Sequence, residues 1–212
     1  MTAGRSGQIA LGLEPRAPRR SRKDFVVSES NRLALETLDR WRGSVETMLV
    51  VNGPEASGKT HLLQILADDA GKTVALLDDA DRNSDPRALF SRIEQARETS
   101  ARLAIAGRGD PIEWAQGMRD LQSRLAAATR IVLAGPDDAL LRAVILKLFK
   151  DRQLRVSPEI ADYAVLRLPR TFAAAQGFVA ALDEASIAKG APAGLKLARE
   201  VVANLSEEPR PA

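Results

Sequence analysis

Val50-Val51-Asn52-Gly53-Pro54-Glu55-Ala56-Ser57-Gly58-Lys59-Thr60-His61-Leu62-Leu63 is the stretch from which the fold can be read. It satisfies G-x-x-x-x-G-K-[ST] at Gly53, Gly58, Lys59 and Thr60. The apolar run Met48 to Val51 before it predicts a strand, and His61 to Leu66 after it has helical spacing. In such a loop, small residues let backbone N–H groups curl around a polyphosphate, and the following helix aims its positive end at the same anion. Lys59 is then expected at the outer phosphates and the Thr60 hydroxyl on Mg²⁺.

Downstream, Thr73-Val74-Ala75-Leu76-Leu77-Asp78-Asp79 predicts a second strand ending in two carboxylates. Two acids at a strand end are common in turns. Beside an upstream phosphate loop they form the second half of a metal-and-water site, with Asp78 on the metal's hydration shell and Asp79 orienting the attacking water. Arg102–Ala106 and Arg130–Leu133 predict two further buried strands, separated by helical stretches at Pro86–Ile93 and Asp120–Leu125. Strands alternating with helices indicate a parallel α/β sheet.

Upstream, Phe25-Val26-Val27-Ser28-Glu29-Ser30-Asn31 leads into helical spacing at Leu33, Leu35, Leu38 and Trp41, with Ser28 or Ser30 as the cap. After Pro136-Asp137-Asp138 the pattern is purely helical, with starts at Ala139, Pro158, Thr171 and Gly194. The expected organisation is a flexible tail over 1–24, an α/β nucleotide-binding domain over 25–135, a helical lid over 136–206 and a frayed end over 207–212.

Composition narrows the chemistry. The 212 residues are enough for a proper core, and 45% hydrophobic with 28% charged content is ordinary for a soluble protein. The absence of cysteine excludes disulfides and thiolate metal sites, and the single histidine, His61, excludes a histidine-rich metal centre. No apolar run reaches the length of a membrane span and no signal-peptide core is seen, so a cytoplasmic location and no membrane partner are expected. The net charge is only +3, and Arg16, Arg19, Arg20, Arg22 and Lys23 crowd near the N-terminus, either as a solvated linker or as a contact for nucleic acid or an acidic partner, the first being the commoner case. Within the tail, Gln8-Ile9-Ala10-Leu11-Gly12-Leu13 sets a Gln ahead of spaced aliphatics and is closed by Glu14-Pro15. This is either a chance trio of aliphatics or a short peptide that inserts into a partner's pocket.

Together these parts resemble the AAA+ module of the replication initiator DnaA, and most closely the Hda family of DnaA-related regulators. The stretch Phe25–Asn31 looks like the segment that embraces adenine. Gly53–Leu62 is similar to the Walker A loop, Leu76–Asp79 to Walker B, Asp120–Leu125 to the segment bearing the arginine finger, and Pro136–Asp138 to the start of the lid. The fold implied is α/β, an AAA+ P-loop NTPase whose parallel sheet is flanked by helices and followed by a small all-α lid. The resemblance implies ATP or ADP with Mg²⁺, held by Val26, Val27, Gly53, Pro54, Ala56, Ser57, Gly58, Lys59, Thr60 and His61. Thr60 and Asp78 would serve the metal, and Asp79 and Arg124 would be catalytic. His61 also reads as a packing residue of the helix. The resemblance further implies that Gln8, Ile9, Leu11 and Leu13 bind the sliding clamp, the beta subunit of DNA polymerase III. Arg124 would be presented to ATP on DnaA, stimulating its hydrolysis and restraining replication initiation, with self-association and only indirect or weak contact with DNA. The absence of a DNA-reading domain after the lid favours Hda over the initiator.

Three features depart from the family pattern. Only eighteen residues separate Lys59 from Asp78, too few for the strand and helix expected there. One edge strand is therefore missing, and the expected sheet order is fourth, first, third, second. The sensor region reads Ala106-Gly107-Arg108-Gly109, without a small polar side chain. The lid arginine is replaced by Ala173, with Arg170 three residues earlier. Nucleotide binding is expected to outlast intrinsic hydrolysis, leaving a weak or partner-dependent ATPase. Two alternatives stay open: a helicase-loader-like, DNA-engaged ATPase, and a nucleotide-gated adaptor without catalysis.

Overall fold

The computed structural model describes residues 21–70, 73–82 and 85–207. The clamp-like segment at Gln8, Ile9, Leu11 and Leu13, together with Arg16, Arg19 and Arg20, lies outside the described residues. So does the frayed end from 208 onward.

Among the described residues the chain forms a four-stranded parallel sheet: β1 (Met48–Asn52), β2 (Val74–Leu77), β3 (Arg102–Gly107) and β4 (Thr129–Val132). The order is β2-β3-β1-β4, with every neighbouring pair parallel. This is the order expected from the short spacing. The helix after the phosphate loop, α2 (Lys59–Ala70), is followed almost at once by β2, so the strand carrying the two carboxylates becomes an edge. Leu76 is 38% exposed on that edge as a result.

The two central strands, β1 and β3, are buried on both faces, and their side chains alternate as the pleat requires. Leu49 and Val51 of β1, with Ala104 and Ala106 of β3, face α1 (Glu29–Arg42) and α2, where Leu38, Trp41, Leu62 and Leu66 complete one core. Val50, Leu103 and Ile105 face the opposite side, against Leu89 and Ile93 of α3 (Pro86–Glu98) and Leu121 and Leu125 of α4 (Arg119–Ala127).

The four remaining helices are α5 (Asp138–Asp151), α6 (Glu159–Val165), α7 (Phe172–Lys189) and α8 (Leu195–Glu207). They pack around their own core of Leu141, Ile145, Phe149, Ile160, Phe178 and Leu182. Local chemistry sets their ends. Asp137 caps α5 by accepting from the Leu140 amide at 2.7 Å, and Thr171 caps α7 through the Ala174 amide at 3.1 Å. Gly190 closes α7 in the left-handed conformation that its missing Cβ permits.

The tail boundary needs correction. Residues Arg22–Asp24, assigned to a flexible tail, form a 3₁₀ turn joined to the domain. Arg22 pairs with Asp39 of α1 through both guanidinium Nη atoms, and its Nη1 lies 3.6 Å from Asp69 of α2. One arginine of the basic cluster thus bridges two helices, because two carboxylates from separate elements converge on it.

Candidate nucleotide site

The site lies at the C-terminal ends of the strands, where parallel sheets bind ligands. Between β1 and α2 the loop turns sharply, with Ala56 at φ 57° and Gly58 at φ 97°. Gly53 has no room for a side chain: a Cβ there would sit 2.6 Å from the Leu133 carbonyl oxygen and 2.8 Å from Leu133 Cβ. A Cβ on Gly58 would stand 3.3 Å from the Phe25 ring. The glycines therefore bring the loop against β4 on one side and the N-terminal segment on the other.

Lys59, at the first position of α2, is 7% exposed and folds over the loop. Its Nζ donates to the Gly53 carbonyl at 3.0 Å and the Pro54 carbonyl at 2.7 Å. Burial pushes this ammonium below the ordinary lysine range, against the pull of Asp81 and Asp78. Ser57 Oγ is buried without a hydrogen-bond partner. Thr60 Oγ1 donates to Asp78 Oδ2 at 2.5 Å, so the two residues expected on the metal meet across the β2 end. Asp78 Oδ1 accepts from the Asp79 amide at 3.0 Å, and Asp79 has a left-handed φ of 52°, which leaves its carboxylate exposed.

These features fit a Mg²⁺-nucleotide. A buried cation, an orphaned hydroxyl and a loop too tight for Cβ atoms suit a phosphate chain. A hydroxyl beside a carboxylate suits Mg²⁺, which binds through one or two protein oxygens plus phosphate and water. Among the described residues no group of three His, Asp or Glu forms a protein-only metal cage. A bound nucleotide would supply the scissile phosphoanhydride, and Thr60 and Asp78 would hold its metal.

Beside the loop, the segment expected at the base is organised around Phe25. Phe25 is buried and meets His61 edge to face, with ring centroids 5.1 Å apart. His61 Nε2 lies 2.8 Å from the Ser21 carbonyl oxygen, which fastens the incoming chain to α2. Buried Asn31 accepts from the Ser28 amide and donates to the Val26 carbonyl, both at 2.8 Å. Val26 is half-buried and Val27 is 53% exposed. Phe25 and Asn31 were missing from the expected site, although both stand in the stretch Phe25–Asn31.

Two other side chains escaped sequence reading. Asn52 donates to the Gly109 carbonyl at 3.0 Å and accepts from Arg130 Nε at 2.9 Å, tying β1 to its neighbours beside the loop. Arg108, in the sensor region, donates through Nε to Asp81 at 2.8 Å, while its amide donates to the other Asp81 oxygen at 2.9 Å. Neither residue type belongs to a spacing rule.

Arg124 lies away from the loop, on α4. Its Nη2 is 2.9 Å from Glu94 Oε1 and its guanidinium stands over the Phe90 ring at 5.2 Å, both on α3. Arg170 does not reach the loop either: it forms a two-pronged pair with Asp138 at the start of the lid, at 2.7 and 2.9 Å.

Domain III of the Thermotoga maritima replication initiation protein DnaA superposes on this chain with a TM-score of 0.76. It covers 90% of this chain and 98% of that one, at 16% identity. The fold is the AAA+ P-loop fold, a parallel sheet flanked by helices and followed by a helical part. The initiator DnaA bound to AMPPCP and single-stranded DNA matches at a TM-score of 0.64 and 18% identity, over 82% of this chain and 68% of that one. The Thermotoga maritima RuvB Holliday junction branch migration motor matches at 0.66 and 13%, over 90% and 73%. No family model matches the sequence, and no curated protein does. Among the described residues no helix is long and apolar enough to cross a membrane.

Proposed function

We propose that this chain is a DnaA-related AAA+ regulator of the Hda type. It binds ATP or ADP with Mg²⁺ and docks on the sliding clamp through Gln8, Ile9, Leu11 and Leu13. It then offers Arg124 to ATP held by DnaA, accelerating hydrolysis and lowering replication initiation. The observation that carries the reading is the pairing of a complete phosphate loop and its Thr60–Asp78 couple with a DnaA-like fold in which Arg124 sits on α4. A cation delivered from a second molecule stabilises charge developing on the transferred phosphoryl group, which is worth several orders of magnitude in rate. Val26, Val27 and Phe25 line the base, and Gly53, Pro54, Ala56, Ser57, Gly58 and Lys59 wrap the phosphates. Asp79 orients water in whatever hydrolysis the chain itself performs.

The adaptor reading has one observation in its favour. Arg170 is committed to Asp138 and Ala173 offers no charge, so neither of these two positions supplies an arginine to read a phosphate. Phosphate release from ATP-loaded DnaA, measured with clamp-loaded DNA, separates the two. The Hda-type reading requires stimulation by the full chain, and loss of it in Arg124→Ala and in a chain lacking residues 1–13. Clamp binding without stimulation would establish the adaptor instead.

A further inference from the structure

Two arginines reach the phosphate loop from different strand ends and converge on one carboxylate. Arg82, after β2, places Nη2 3.5 Å from Glu55 Oε1, and Arg108, after β3, places Nη1 3.6 Å from Glu55 Oε2. Glu55 stands at the loop apex between Pro54 and Ala56 and is 67% exposed on its side chain. Arg108 is not free to wander. Asp81, only 13% exposed, holds its Nε and its backbone amide together, so the outer guanidinium nitrogen is aimed at the loop. The backbone beneath is pinned as well. Trp114 Nε1 donates to the Arg108 carbonyl at 2.6 Å, and its ring lies 2.6 Å from where a Gly107 Cβ would be.

We infer that Arg108, aimed by Asp81, reads the terminal phosphate of a bound nucleoside triphosphate, and that Glu55 competes with that phosphate for the guanidinium. The inference rests on the nucleotide-binding reading above and deepens it. Glu55 carries one negative charge and contacts the arginines only at the outer edge of ion-pair distance. A terminal phosphate carries more charge and accepts aligned, charge-assisted hydrogen bonds, so it is the stronger partner. A diphosphate lacks that phosphate and, on this inference, leaves the Glu55 contacts in place. The region that lacks a small polar sensor thus carries a cation in its stead, and triphosphate selectivity comes from displacement of a resident carboxylate.

The test is calorimetric titration of the full chain with Mg²⁺ and either ADP or the non-hydrolysable analogue AMPPCP. Glu55→Gln is expected to tighten AMPPCP about threefold to tenfold, and Arg108→Ala to weaken it about tenfold, as loss of one charge-assisted contact implies. ADP should change less than about twofold in both, because it lacks the terminal phosphate. Equal changes for the two nucleotides, or none in either variant, would overturn the inference while leaving nucleotide binding intact. If the native chain binds neither nucleotide, the nucleotide reading falls and this inference with it. Should Arg108→Ala fail to fold through loss of the Asp81 bonds, Glu55→Gln decides the matter alone, since its side chain is exposed.

Discussion

Arg124 and Glu94 face each other between α4 and α3, Nη2 to Oε1 at 2.9 Å, with both side chains 28% exposed. The contact is one of charge and not an aligned hydrogen bond, since Arg124 Nε and Glu94 Oε1 are both buried without a hydrogen-bond partner. A guanidinium held this way has unspent donors. A phosphate on a second molecule, offering several acceptors, can draw it off.

Removing the restraint should therefore raise activity toward the partner. Glu94→Gln is expected to increase stimulation of DnaA-bound ATP hydrolysis about twofold to fivefold, the scale of one partly exposed ion pair. Arg124→Ala should abolish it. Initial rates of phosphate release measure both, and unchanged rates in Glu94→Gln would show that the pair does not restrain Arg124.

In the proposed function the Thr60–Asp78 couple makes nucleotide affinity dependent on metal. Asp78→Asn keeps the hydrogen-bonding shape but removes the charge beside the ion. Its affinity for AMPPCP with Mg²⁺ should fall about tenfold, while affinity measured in chelator should hardly move. Titration with and without Mg²⁺ reads the difference.

Gly53→Ala forces a Cβ into Leu133, whose carbonyl oxygen and Cβ would lie at 2.6 and 2.8 Å. Both are backbone-fixed, so the chain just after β4 must move. The expected loss is about 1–3 kcal/mol, the range for overpacking a tight site. Thermal melting should show a drop of about 2–4 °C per kcal/mol for a chain of this size.

The lid has its own core, and Phe178 is fully buried in it, with its ring 6.3 Å from that of Phe149. Phe178→Ala is expected to cost about 3–5 kcal/mol. Hydrogen exchange should accelerate in α5, α7 and α8 before it does in β1 and β3, because the sheet is held by separate clusters.

Stability toward acid carries the signature of Asp81. Burial alone would raise this carboxyl, but the hydrogen bonds from Arg108 outweigh it and hold it below its ordinary value of 3.8. A depressed carboxyl contributes stability that is present above 3.8 and lost as the pH falls through the folded value. In Asp81→Asn this acid-side slope should shrink. Urea midpoints measured from pH 6 down to the acid limit of folding would show a flatter curve than that of the native chain.

The phosphate loop was legible because its geometry is local. Glycines at two fixed positions, a lysine and a threonine fall within eight residues, and in the nucleotide-binding reading each is needed for a reason that spacing expresses. The sheet order followed from the short gap between Lys59 and Asp78, because a chain that short cannot hold another strand and helix. The ends of α5 and α7 were legible for the same reason, through caps at Asp137 and Thr171 and the stop at Gly190.

What the sequence by itself determined, then, was the elements, their order in the sheet and the tight turn from β1 into α2, all of which depend on periodicity and on neighbours within a turn or two. Tertiary structure alone decided which charges meet. Arg22 was read as solvated tail and instead joins Asp39 to Asp69, residues of two different helices. Arg170 was a candidate for the loop and is taken by Asp138. Arg108 looked like a gap in the pattern and stands against Asp81 and Glu55. A long cationic side chain pairs with whatever acid the fold brings within a few ångströms, and that neighbour is set by packing between distant segments, which no local spacing encodes.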